Sequence, residues 1–376
     1  MALLPWTVVL ILGFWLASPV LGSTCPPAPC RCPNASVIIC ENGSFPDADI
    51  LLQISAHFYP DLDTLVFTGN RLGRLESLFN VGVELRRLSK LVLSHNQISM
   101  LDAGAFAGVP NLEELDLSFN DVAEVRGDVF RDMHRLKSLN VRNFFDVELN
   151  FTARIEVLRQ LFDSAGNLPE LDFVNLDVNG LSYLPEDLWC NLPALRELSL
   201  RGNNLGDFRA IPECIAGLTT LDLWNNEITY LGPQFTETVD TAVHLRDVNL
   251  GENPFYCECE LSDFIAWFQR SRRVRKTKDV SCLDGNPEDF QGLPLTEVDT
   301  GKLKCDSDGA AYLHTVYIFV ALAAVGLCLL MACLVYGNRG LVRRWAKKGA
   351  AGNARYRFIG GYQKLDREPE VSAEFV

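Results

Sequence analysis

The stretch LRELSLRGNNL, Leu195 to Leu205, decides how the rest of the chain is read. Its frame, LxxLxLxxNxL, recurs as LDTLVFTGNRL from Leu62, LSKLVLSHNQI from Leu88, LEELDLSFNDV from Leu112, LDFVNLDVNGL from Leu171, LTTLDLWNNEI from Leu218 and LRDVNLGENPF from Leu245. The asparagines of the frame are Asn70, Asn96, Asn120, Asn179, Asn203, Asn226 and Asn253, and the usual step between copies is 23 to 27 residues. An eighth copy, LKSLNVRNFFDV from Leu136, keeps the apolar frame but carries Phe144 where asparagine belongs, and a 35-residue step follows it.

In an extended segment successive side chains point to opposite sides, so the leucines of each copy face one way and the residues between them the other. The asparagine amide, both donor and acceptor, satisfies backbone groups where the chain turns. One copy cannot bury its leucines alone; stacked copies pair their strands side by side and share a continuous core, which takes at least about three repeats. The pattern predicts an α/β fold: a leucine-rich repeat solenoid with a curved parallel β-sheet over residues 62–252 and an insertion near 143–167. Part of that insertion, TARIEVLRQLFD, has the apolar spacing of a short amphipathic helix, and Phe144, Phe145 and Phe151 make it apolar for a loop.

The ends of a solenoid need covering, and cysteines cluster there. Cys25, Cys30, Cys32 and Cys40 precede the first copy, and Cys257, Cys259, Cys282 and Cys305 follow the last. Both groups resemble the cysteine caps that flank extracellular leucine-rich repeats, which assigns 23–61 and 253–306 as caps. That resemblance implies Cys25 with Cys32, Cys30 with Cys40, Cys257 with Cys282 and Cys259 with Cys305; spacing alone leaves the connectivity open. Zinc is the rival ligand for such clusters, and an oxidising compartment disfavours it. Cys190 and Cys214 lie 24 residues apart, one repeat, which predicts a bridge between neighbouring coils away from the sheet, against the alternative of two buried free thiols.

The chain has 376 residues, Lys+Arg 34 against Asp+Glu 48, a formal charge of −14, 12 cysteines and 48% hydrophobic residues. That balance excludes a nucleic-acid binder, which needs a basic surface, and a disordered acidic chain, which lacks apolar residues for a core. The uncharged opening, residues 1–22, reads as a signal peptide cut after Gly22, though it lacks a basic start and an uncleaved anchor is the alternative. Val316 to Tyr336 is a second uncharged run, 21 residues long, enough for a transmembrane helix after a 307–315 linker. Arg339, Arg343, Arg344, Lys347 and Lys348 follow it, so the positive-inside rule predicts a type I, single-pass membrane protein with an extracellular N-terminus and a short disordered cytoplasmic tail, 337–376. Cys328 and Cys333 fall within the span, as apolar filler or palmitoylation candidates.

The outward positions of the strands form the face on which such solenoids bind proteins. Here they include Glu113, Glu114, Asp116, Asp172, Phe173, Asn175, Asp177, Trp224, Arg246 and Asp247, an acidic set with two large aromatics. Phe173, Asn175, Asp177, Trp224 and Asp247 are the candidate partner-binding residues. Phe173 and Trp224 are the anchors to test, with packing on neighbouring coils as the competing explanation. Glycosylation sequons stand at Asn34, Asn42 and Asn150. Arg270 to Lys278, RSRRVRKTK, is a basic run in an acidic ectodomain, read as a solvated cap helix or as a site for heparan sulfate or an acidic protein. Its spacing also resembles a proprotein-convertase site, which the cap disulfides would keep folded.

In the tail, Tyr356 to Ile359 and Tyr362 to Leu365 each fit the Tyr-x-x-Φ signal read by clathrin adaptors, and the end, Glu374-Phe375-Val376, resembles a PDZ ligand. No H-E-x-x-H, G-x-S-x-G, phosphate loop or kinase signature occurs, and the five histidines are scattered, so no enzyme and no cofactor is expected. The broken repeat array, the cap opening NPFYCECELSDFIAWFQ and the stretch TVYIFVALAAVGLCLLMACLVYGNRGLVRRW together resemble the trophoblast glycoprotein family. The resemblance implies a plasma-membrane glycoprotein that dampens the β-catenin branch of Wnt signalling and influences cell motility. The chain departs from that family in carrying Glu374 rather than serine two residues before the final valine, and in the pair Cys190 and Cys214. The alternatives are a cell-adhesion or synapse-organising protein and an ion-channel auxiliary subunit.

Overall fold

The computed structural model describes residues 25–79, 84–163, 168–305, 308–337, 340, 343 and 344. The expected signal peptide, Tyr356, Ile359, Tyr362, Leu365, Glu374, Phe375 and Val376 lie outside the described residues. The chain divides into two units, one ending at Cys305 and one beginning at Asp306.

In the first unit a ten-stranded sheet runs in chain order. It opens with an antiparallel hairpin, Cys30–Asn34 and Val37–Glu41, and continues through eight parallel strands, Thr64–Thr68, Lys90–Val92, Glu114–Asp116, Ser138–Asn140, Phe173–Asn175, Glu197–Ser199, Thr220–Asp222 and Asp247–Asn249. The register aligns Leu65, Leu91, Leu115, Leu139, Val174, Leu198, Leu221 and Val248. All of them are buried, so each contributes about 2 kcal/mol of transfer free energy to the shared core.

The frame asparagines form a buried ladder. Asn96 Oδ1 accepts from Asn70 N at 3.0 Å, Asn120 Oδ1 from Asn96 N at 3.0 Å and Asn203 Oδ1 from Asn179 N at 2.9 Å, while their Nδ2 groups donate to carbonyls of the coil before. Buried amides cost free energy unless paired, and each asparagine here pairs with two coils. Phe144 breaks the ladder by filling the position with a fully buried ring packed edge-on against Phe145. There Val122 N donates to the Phe144 carbonyl at 2.9 Å, so backbone replaces the missing amide. The extra residues of the long step form helix α1, Phe151–Asp163, which buries Ile155, Val157, Leu158, Leu161 and Phe162. Arg154 at its start donates to the carbonyls of Asn179 and Gly180 and so fastens the helix to the next coil.

The residue before each frame asparagine has a positive φ in every copy: Gly69, His95, Phe119, Asn143, Val178, Gly202, Asn225 and Glu252. Glycine meets that requirement without strain, as at Gly69 and Gly202; a β-branched residue such as Val178 does not.

Disulfides join Cys25 to Cys32, Cys30 to Cys40, Cys257 to Cys282 and Cys259 to Cys305. Another joins Cys190 to Cys214 across neighbouring coils, with Cα atoms 4.4 Å apart. Helix α2, Pro233–Thr241, lies on the last repeat, and α3, Ser262–Arg270, covers the open end of the core with Phe264, Ile265 and Phe268 buried. Phe264 stacks on Phe255 and meets Phe235 edge-on.

The basic run differs from the expected cap helix. Only Arg270 belongs to α3; from Ser271 the chain is extended and Val274 pairs with Val248 as a further parallel rung. Arg273 donates to the carbonyls of Val239 and Ala242, the unpaired end of α2, and Arg275 forms a two-point ion pair with Asp247. These bonds hold the convertase-like segment in the fold.

In the second unit α4 runs from Asp308 to Gly337 and includes the free Cys328. Among the described residues no helix is long and apolar enough to cross a membrane.

Candidate protein-binding face

Outward strand positions fall into rows set by the register. The first row includes Lys90, Glu114, Ser138, Phe173, Glu197, Thr220 and Asp247; the second, Val92, Asp116, Asn140, Asn175, Ser199, Asp222 and Asn249. Between the strands Lys90–Val92 and Phe173–Asn175 these rows line a hollow of about 210 Å³ that includes Glu114, Asp116, Ser138 and Asn140.

Most polar groups of the second row are committed to their own turns. Asp116 accepts from Ser118 N at 2.8 Å, Asn140 from Arg142 N at 3.2 Å, Asn175 from Asp177 N at 2.9 Å and Asp222 from Trp224 N at 3.0 Å. Such side-chain-to-backbone bonds two residues on shape the turn at the end of each strand. In the first row Lys90 pairs with Glu114 at 2.6 Å, and next to it Lys137 pairs with Glu113 at 2.9 Å. The acidic surface expected from the sequence is thus largely neutralised within the face. Phe173 remains half-buried at the edge of the hollow, with an apolar ring among polar neighbours.

Beyond the strand ends a network crosses six coils. His95 stacks on Phe119 with centroids 4.4 Å apart, and the Arg142 guanidinium lies over the same ring at 5.8 Å. Arg142 reaches Asp177 at 3.3 Å. Asp177 also accepts from Ser199 Oγ at 2.6 Å and Arg201 N at 2.8 Å, and the Arg201 guanidinium sits 4.9 Å over Trp224. Phe119, an aromatic at positive φ, is nevertheless 37% exposed. Arginine and aromatic side chains held in such a way are the types that dominate protein interfaces.

Three of the five sequence candidates therefore have internal partners. Asp177 is 5% exposed, and its carboxylate serves three coils rather than solvent. Trp224 is half-buried between Arg201 and the Gly251 turn, where Asp279 also packs. Asp247 is held by Arg275, whose pKa its hydrogen bond raises. Phe173 and Asn175 line the hollow. Phe119 was missed. The available signal was its place in the frame, since it stands where Gly69 and Gly202 stand in other copies. The sequon asparagines Asn34, Asn42 and Asn150 are all exposed, and Asn150 Oδ1 accepts from Ala153 N at the start of α1. Among the described residues no group of three metal-ligating side chains could hold an ion.

These features define the class: a leucine-rich repeat protein with disulfide-closed ends and a strand face suited to macromolecules. The leucine rich repeat family model matches residues 86–143. Trophoblast glycoprotein of Macaca fascicularis is 27% identical over 345 residues, covering 88% of this chain and 79% of its own length. That of Mus musculus is 28% identical over 354 residues, with the same coverage. The crystal structure of human 5T4 (Wnt-activated inhibitory factor 1, trophoblast glycoprotein) superposes with a TM-score of 0.63 at 25% identity, over 76% of this chain and 99% of that one. Within its class the chain is similar to trophoblast glycoprotein, and these relatives support a cell-surface protein that binds partners.

Proposed function

We propose that the protein captures an extracellular or membrane protein through the strand face at Phe173 and the adjoining Phe119–Arg142 ridge, and that this contact dampens Wnt/β-catenin signalling. The observation that carries the reading is the exposed Phe119 ring, stacked by His95 and capped by Arg142, beside a hollow most of whose polar groups are already paired. Such a patch presents apolar area without a large desolvation cost, which suits a binding anchor. The Wnt component rests on likeness to a protein whose name describes a Wnt-activated inhibitory factor. In this reading α4 crosses the plasma membrane as a single type I span, Asn34, Asn42 and Asn150 carry glycans, the tyrosine motifs of the tail engage clathrin adaptors and its end a PDZ domain.

The test is a β-catenin reporter in Wnt-stimulated cells at matched surface levels. Full-length protein should repress it, and Phe119→Ala with Phe173→Ala should relieve the repression by about tenfold in effective dose, as loss of an interface anchor does. An unchanged reporter with full-length protein refutes the Wnt component; positive cell-clustering would then favour adhesion.

A further inference from the structure

Along the opposite border of the sheet, before the strands begin, the register sets Arg196, Thr219, Arg246 and Arg272 in one row across four neighbouring chain segments. Glu197 pairs with Thr220 and Thr220 with Asp247, and the Val248–Val274 bridge adds the cap segment. At strand spacing the row is about 14 Å long. The three arginines are exposed and make no ion pair or side-chain hydrogen bond. That is unlike the general pattern of this unit, in which, among the described residues, eleven arginines engage carboxylates. Of the carboxylates beside the row, Asp247 is occupied by Arg275, while Glu197 and Asp172, which the register sets next to Arg196, make no ion pair. The same cap segment adds Arg270 and Lys278, both exposed, whereas Arg273 is consumed by the end of α2.

We propose that this row is a docking site for a sulfated linear polysaccharide. Guanidinium groups bind oxyanions at two points, and a straight row of them matches a chain that repeats its charges along its length. The disulfides place the unit in an oxidising, extracellular-type compartment, away from the anionic cytoplasmic leaflet. The site is separate from the Phe173 hollow and stands whether or not that face binds a Wnt component.

The test is retention of the full-length chain, purified in detergent, on immobilised heparin. Wild type should bind at about 0.15 M salt and elute above it. Arg246→Ala with Arg272→Ala should weaken binding by at least about tenfold and flatten its salt dependence by about two charges. Arg86→Ala with Arg131→Ala removes the same charge from elsewhere and should elute with wild type. Thermal melts of both variants report whether folding is intact. Failure of wild type to bind at that salt, or equal elution of the two double variants, overturns the proposal. So does stronger arginine-dependent retention on phosphatidylserine vesicles or polyglutamate, which reassigns the row to lipid or acidic protein.

Discussion

Phe173 and Trp224 look interchangeable in the sequence, each a large aromatic on an outward strand position, yet their surroundings differ. The Trp224 end of the face is closed: Arg201 covers one side of the ring, and the Gly251 turn and Asp279 fill the other. The Phe173 end is open, with a hollow in front of it and no aromatic or cationic partner on the ring. One tryptophan thus knits the last repeats to the cap, while the phenylalanine is left to face a ligand. Outward position within a repeat establishes only which side a residue takes; the residues one coil away establish whether it is free.

The largest effect should come from Asp177, which joins the two ends. Asp177→Ala strips a buried acceptor from Ser199, Arg201 N and Arg142 at once. Unpaired buried donors cost about 1–3 kcal/mol, so thermal unfolding should show a loss near the upper end. Asp177→Asn should recover part of it, because one amide oxygen still accepts. A loss below about 0.5 kcal/mol would mean the network is ornamental and the two ends are not linked through it.

Next is Trp224. Trp224→Ala removes a half-buried aromatic and its cation–π contact and should cost about 2 kcal/mol in denaturant unfolding. It should leave reporter repression unchanged at matched surface level. Phe173→Ala should do the reverse, with a stability change within about 0.5 kcal/mol and the larger functional loss. If Trp224→Ala abolished repression while its surface level held, the closed end would be the binding end and the comparison would invert.

Much of this was legible beforehand because the repeat is nearly digital. Each frame leucine is buried and each frame asparagine bonds its neighbours, so the sheet, its order and its core follow from counting. The use of Asp177, Asp247 and Arg273 was not, since each is decided by a partner 22 to 34 residues away that no local pattern specifies. Phe144 marks the limit. The sequence shows a missing asparagine, whereas the replacement by a backbone bond emerges only from the packed coil.

The smallest effect bears on the open end. Val178, 40% exposed at φ 55°, occupies the left-handed position that Gly202 occupies one coil later. A β-branched residue there carries about 1 kcal/mol or more of backbone strain, partly offset by the greater freedom glycine has when unfolded. Val178→Gly should therefore raise stability by about 0.5 kcal/mol, read as a small upward shift in the unfolding midpoint. Phe119 stands at the same frame position two copies earlier, so the strained residues flank Arg142 and Asp177 on either side. Strain kept beside an exposed ridge, where glycine would remove it, indicates that the side chains are retained for what they touch. If Val178→Gly stabilises the fold and also weakens repression, the ridge extends past Phe119 to Val178; if it stabilises and repression is untouched, the binding surface ends at Arg142.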